Sequence, residues 1–199
     1  MWSFILAATA LLGSPGPAIA ALLAVGRAFP RQTALRFYLM LQIGLAIAAG
    51  LSATGLAALL RAVPSLETGL MVVATIYLIW LAWTIASAPL AGQAGQSERQ
   101  RFSARGAFLL GIANPKAYLA FASLFGSFSL APAGAPWLDA AIKWGMCVIV
   151  MVIVDLAWLL VGMAFGRAPL GPKGERMFNI TMGLAIVAAA AGTWWSARP

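Results

Sequence analysis

The chain has 199 residues, of which 62% are hydrophobic and 9% are charged, and its mean hydropathy is +0.92. Soluble domains contain about 25% charged residues, so the composition excludes an ordinary soluble protein and predicts an all-α integral membrane protein. The formal net charge is +8. Because the basic residues fall in short gaps between apolar runs, membrane topology explains them and no nucleic-acid partner is predicted.

The apolar runs predict six transmembrane helices. A helix needs about 20 apolar residues to cross the hydrocarbon, and the runs with this length lie near residues 2–25, 37–60, 68–88, 106–129, 140–165 and 177–196. Little of the chain remains for a soluble domain.

The first run contains a proline-rich interruption formed by Ser14, Pro15, Gly16 and Pro17. Proline removes a backbone donor and clashes with the preceding helical turn, so the helix is predicted to break here. A secretory signal peptide is the alternative, because residues 18–20 resemble a small-residue cleavage site. The basic amino-terminal region of such a peptide is missing, which favours a broken membrane helix.

The fourth run is broken in the same way, by Asn114, Pro115 and Lys116. Irregular backbone at membrane depth survives only inside protein or beside a wet cavity, since lipid offers no hydrogen-bonding partners. Breaks at matching places in two halves of a membrane chain indicate the substrate site of a transporter.

Basic residues mark one side of the membrane. The gaps after the first, third and fifth runs contain Arg27, Arg31, Arg36, Arg99, Arg101, Arg105, Arg167, Lys173 and Arg176. By the positive-inside rule these loops are cytoplasmic and both termini lie outside. Three helices per half then insert in opposite orientations, which predicts two inverted repeats, residues 1–92 and 106–199, joined by a cytoplasmic linker at 93–105.

Each break creates a new helix amino terminus, where free N–H groups and the helix dipole favour an anion such as a carboxylate. We expect Ser14 and Asn114 to cap half-helices that begin at Pro15 and Pro115. Capping without any bound substrate is the alternative interpretation of both breaks.

Lys116 and Asp155 lie deep in their apolar runs. A charge at the bilayer centre costs about 2.5 to 3.5 kcal/mol on insertion scales, and such residues usually pair or line a pathway. The sequence predicts a direct Lys116–Asp155 pair. Either Lys116 binds a substrate carboxylate while Asp155 receives an ammonium group or a proton, or the pair only specifies the fold. Gln42 is a further candidate for the pathway, whereas Asp139 and Lys143 are predicted to form a helix-end pair.

Together these residues resemble the LysE/RhtB family of bacterial amino-acid exporters. The resemblance lies in Pro-Gly-Pro at 15–17, in Asn-Pro-Lys at 114–116 and in Asp155 followed by Leu-Ala-Trp. It implies a secondary transporter of the bacterial inner membrane that exports an amino acid or similar zwitterion, with the proton gradient as energy source. The chain departs from the family at Ala18, where the family commonly has Asn, and at residues 26–45, where the family's glycine-rich entry to the second helix is poorly kept.

Other functional classes are poorly supported. The chain has no histidine and a single cysteine, Cys147, which excludes His-based metal sites, Ser-His triads and an intrachain dithiol relay. It also lacks a phosphate-binding glycine loop, so we predict neither an enzyme nor a cofactor. The remaining alternatives are an exporter of a metal cation or another small solute, and a non-transporting subunit of a membrane complex. We also expect the protein to form a homodimer, from the general properties of a six-span fold with a thin central cavity.

Overall fold

The computed structural model describes residues 1–54, 64–87, 103–132, 134–167 and 171–196, and the regular elements in these ranges are α-helices. In chain order they are α1 Trp2–Gly13, α2 Pro17–Ala28, α3 Arg31–Ala53, α4 Pro64–Ala86, α5 Ala104–Ile112, α6 Pro115–Ser127, α7 Pro136–Arg167 and α8 Pro172–Ser196.

Proline determines where many of these helices start. The helices α2, α4, α6, α7 and α8 each begin at a proline. The first residue of a helix has no intrahelical acceptor for its N–H group, so proline loses nothing there, and its fixed φ suits the helix. The same residue that breaks one helical segment therefore starts the next.

Both predicted breaks are present. The axes of α1 and α2 differ in direction by 63°, and those of α5 and α6 by 42°. By length and apolar character, α3 and α7 can each cross a membrane, and each bent pair can cross as one broken span, which gives two to four candidate spans in the described residues. The six-span inverted layout and its boundaries at 92 and 106 remain predictions, and most of the linker lies outside the described residues.

Glycines bring the helices of the core into close contact. A Cβ on Gly162 would lie 2.6 Å from the carbonyl oxygen of Leu23, and one on Gly166 would lie 2.8 Å from that of Arg27. These contacts advance together along both helices, so α2 and α7 run parallel. Small residues allow such close backbone approach between membrane helices, and α2 is buried over nearly its whole length as a result.

The outside of the bundle is apolar. Large hydrophobic side chains such as Leu39 and Ile43 on α3, and Ile149 and Ile153 on α7, are exposed. In water this much contiguous apolar surface would mark an interaction site. Around apolar helices of this length it is the surface expected of a multi-pass membrane protein, with lipid as the partner.

Candidate functional site

A narrow cavity lies where the two helix breaks meet. Its polar and charged walls come from Asn114, Lys116 and Asp155, and the remaining walls are Leu11, Leu12, Gly16, Pro17, Ala18, Ile19, Leu45, Ala117, Ala120 and Met151. The volume open to the centre of a water-sized sphere is about 30 Å³. That corresponds to about two water molecules, so the cavity is small.

The first break differs in detail from the prediction. The second half-helix begins at Pro17 with Gly16 as its N-cap, so the predicted start at Pro15 was wrong. Ser14 does not cap α2. Its hydroxyl instead donates to the Leu11 carbonyl oxygen at 2.9 Å, because the last carbonyls of α1 lack partners within their own helix. Pro15 is exposed and does not line the cavity.

Gly16 explains why the break contains a glycine between its prolines. A Cβ at this position would lie 2.6 Å from Cδ of Lys116, well inside van der Waals contact. The absence of a side chain at Gly16 therefore lets the Lys116 chain cross the first break. The first break thus leaves the space at Gly16, and the second break contributes the Lys116 side chain that occupies it.

At the second break the helix starts where the sequence indicates, with Asn114 as N-cap and Pro115 in the first turn. The Asn114 side chain nevertheless makes no capping hydrogen bond. The residue is only 4% exposed, and its Oδ1 atom has no hydrogen-bond partner among the described residues. Leaving a buried polar atom unpaired costs about 1 to 3 kcal/mol, so this amide is available to a ligand in the cavity.

Lys116 reaches across the cavity to the end of α1. Its Nζ donates to the carbonyl oxygen of Ser14, and Trp158 Nε1 donates to the neighbouring Gly13 carbonyl oxygen at 3.2 Å. A cation is favoured there because the carboxyl end of a helix carries partial negative charge. Side chains from the second half of the chain thus satisfy the carbonyls exposed by the first break.

Asp155 is buried in the opposite wall and has a different partner. Its Oδ2 accepts a hydrogen bond from Gln42 Nε2 at 2.7 Å. The direct Lys116–Asp155 pair predicted from the sequence is therefore not formed, because the Gln42 amide and the Ser14 carbonyl satisfy the two groups separately. Gln42 is connected to the cavity through Asp155 and does not itself line it.

Sequence reasoning missed the apolar walls. Met151 precedes Asp155 by one helical turn and Ala120 follows Lys116 by one turn, so both lie on the faces that carry the charges. This spacing was the available signal for these two residues. Nothing in the sequence separates Leu11, Leu12 and Leu45 from ordinary packing leucines.

The described residues contain no group of three or more His, Cys, Asp or Glu side chains placed to hold a metal ion. Around the cavity they offer Asp155 as the carboxylate and Asn114 as an amide oxygen. The donor set is poor for a bare divalent cation, since calcium takes six to eight oxygen ligands.

In a comparison with known protein families, the chain matches the LysE type translocator model over residues 9–193. No curated protein and no solved structure matches the chain. The matched range includes both helix breaks, Gln42 and Asp155, and it covers nearly the whole sequence. The chain therefore belongs to the LysE type translocator family, whose members move solutes across membranes.

Proposed function

We propose that this translocator exports an amino acid or a similar small zwitterion across the bacterial inner membrane, with protons as the coupling ion. In this proposal the chain crosses the membrane six times as two inverted repeats, with both termini outside. The distribution of basic residues and the two matching breaks support that topology.

One observation carries the proposal. The cavity contains a cation and an anion, Lys116 and Asp155, that are hydrogen-bonded to other groups and not to each other. A zwitterion bears the two complementary charges on one small molecule. The site is therefore complementary to a zwitterion, whereas a simple cation or anion would leave one of the two residues unmatched.

The carboxylate of the substrate would bind at Lys116, next to the two helix breaks. Lys116 would exchange the Ser14 carbonyl for the carboxylate, a stronger, charge-assisted hydrogen bond. The amino ends of α2 and α6 add a favourable helix dipole.

The ammonium group would bind between Asp155 and the unpaired amide oxygen of Asn114. When the substrate leaves, Asp155 would take up a proton, because an uncompensated buried carboxylate is costly. Competition between ammonium and proton for one carboxylate couples export of the substrate to import of the proton.

The test is efflux of labelled amino acids from proteoliposomes under an imposed proton gradient. We expect the unaltered protein to release at least one amino acid, and Lys116→Met to insert normally but release none above empty liposomes. Lys143→Met is the matched control, because Lys143 is a buried lysine that does not line the cavity. Undiminished efflux by Lys116→Met would remove Lys116 from the site, and no efflux by the unaltered protein would refute the proposed substrate class.

A further inference from the structure

The walls of the cavity constrain the side chain of the substrate. Beyond Asn114, Lys116 and Asp155, its described lining is apolar, and Ala120 and Met151 lie one helical turn from Lys116 and Asp155. We propose, on the basis of the function proposed above, that the transported zwitterion has an uncharged aliphatic side chain.

Charge balance excludes the ionised side chains. The α-carboxylate and α-ammonium groups already use Lys116 and Asp155, and the described lining offers no second carboxylate or cation. A lysine or glutamate side chain would therefore be buried without a partner, which is strongly unfavourable. An aliphatic side chain has no such requirement and gains from leaving water.

The lining residues also suggest a size range for the side chain of the substrate. Ala117 and Ala120 leave room along α6, while Met151 on α7 is unbranched and adapts to irregular shapes. Side chains from alanine to leucine or methionine are expected to fit once the narrow cavity opens. Aromatic side chains would require a larger displacement of α6 from α7.

Competition in the proteoliposome assay tests the side-chain class. We expect leucine, valine and methionine to be exported at least tenfold faster than lysine or glutamate. Ala120→Leu fills the aliphatic space, so it should slow leucine more than alanine, whereas Ala122→Leu, on the same helix but outside the lining, should leave their ratio unchanged. Preferential export of a charged amino acid, or an unaltered ratio in Ala120→Leu, would overturn the inference while leaving zwitterion transport intact. Failure of every amino acid to move would overturn both.

An independent cluster of side chains lies at the carboxyl end of α2. Arg27, at the end of α2, lies with its Nη2 atom 3.2 Å from Oε1 of Glu175 on α8, and their side chains are 3% and 13% exposed. Arg27 Nη1 donates to the Phe165 carbonyl oxygen at 3.0 Å, and the guanidinium lies 5.0 Å from the centre of the Phe178 ring. The cluster thus joins α2 to α7 and α8.

The cluster and the cavity lie at different depths. Arg27 is about 15 Å beyond Pro17 along α2, and Phe165 is about 15 Å beyond Asp155 along α7, at about 1.5 Å per residue. Because the two helices run parallel, both displacements point to the end where Arg31 begins α3. The cavity extends the other way, along α1 and α6.

We infer that the Arg27–Glu175 cluster is the inner gate of the transporter, and that it separates when the site opens to the cytoplasm. The Nη2 atom of Arg27 pairs with Glu175 by charge but lacks an aligned hydrogen bond. The contact between these two side chains is therefore mainly electrostatic and depends on the charge of Glu175. The pair also joins the two proposed repeats, whose relative movement would change the side of access.

Labelling of a cavity residue tests the gate without knowledge of the substrate. Ala18→Cys in a Cys147→Ser background places one thiol in the cavity wall, and a membrane-impermeant maleimide is applied from either side. Adding Glu175→Gln should raise labelling from the cytoplasmic side at least threefold and lower it from outside. Lys173→Gln, an exposed change at the same end of α8, should have no effect.

Phe178→Leu provides a second variant that keeps all charges and removes only the aromatic contact with Arg27. It should shift labelling in the same direction as Glu175→Gln but by less. Unchanged sidedness in both variants, with monodisperse protein in gel filtration, would show that the cluster is structural and not a gate.

Discussion

Lys116 and Lys143 are both lysines of the second half of the chain, and their surroundings differ. Lys143 is 4% exposed, pairs with Asp139 one turn away on α7, and donates to the Phe125 carbonyl oxygen at 3.0 Å. Asp139 in turn accepts from the backbone N–H groups that follow α6. Lys116 has the Ser14 carbonyl oxygen instead, while Asp155 across the cavity is bound to Gln42.

The difference distinguishes a lysine with a structural role from a lysine whose hydrogen-bond acceptor can be exchanged. The charge of Lys143 is neutralised locally, and its network attaches the segment after α6 to α7. Lys116 has a neutral acceptor, which under the proposed function a substrate carboxylate would replace with a better match of charge. Under the proposed function, a half-buried cation whose nearby carboxylate is bound by an amide is the arrangement suited to substrate binding.

Among the variants that test this comparison, Asp155→Asn should have the largest effect on efflux. The amide keeps the size of the side chain but can neither hold an ammonium group by charge nor carry a proton. We expect at least a tenfold fall in gradient-driven efflux and loss of the remaining dependence on external pH. The measurement is efflux over a series of external pH values, and a pH profile identical to that of the unaltered protein would make the proton role of Asp155 untenable.

Gln42→Leu should have an intermediate effect. Hydrogen bonds to charged groups contribute about 1.5 to 3 kcal/mol, and without this one Asp155 becomes free to turn toward Lys116. The two charges would then neutralise each other and resist the substrate, so we expect a roughly tenfold slower efflux, since tenfold corresponds to about 1.4 kcal/mol.

Tyr38→Phe is the control for Gln42→Leu. Tyr38 lies one turn earlier on α3, and its hydroxyl donates to the Val152 carbonyl oxygen at 2.8 Å instead of to Asp155. Removing this hydroxyl should change efflux less than twofold. Equal losses in the two variants would mean that α3 acts through packing against α7, and that the Gln42–Asp155 bond has no separate role in transport.

Features fixed by local chemistry could be predicted from the sequence. Proline ends a helix whatever its neighbours are, so the sequence located both breaks. The predicted Asp139–Lys143 pair was confirmed, because residues four apart share a helix face. The start of α2 was wrong by two residues because both Pro15 and Pro17 suit a first helical position.

Features that depend on neighbouring helices could not be predicted. The partner of Asp155 is decided by where α3 places Gln42, and the partner of Lys116 by carbonyl groups at the end of α1. No short sequence spacing indicates either hydrogen bond, because the partners are 113 and 102 residues apart. Opposite charges were therefore assigned to each other by default, and the amide that separates them was identified only as a candidate for the pathway.

Lys143→Met should have the smallest effect on transport and a clear effect on stability. Methionine fills the buried space but leaves Asp139 without its cation and the Phe125 carbonyl oxygen without its donor. We expect a lower thermal midpoint in detergent, with efflux per inserted molecule within twofold of the unaltered protein. Asp139→Asn added to Lys143→Met should recover part of the midpoint, because the amide carries no charge and still accepts from the backbone after α6. If Lys143→Met abolished efflux as completely as Lys116→Met, local neutralisation would not distinguish structural from functional charges, and the end of α7 that carries Lys143 would belong to the transport pathway.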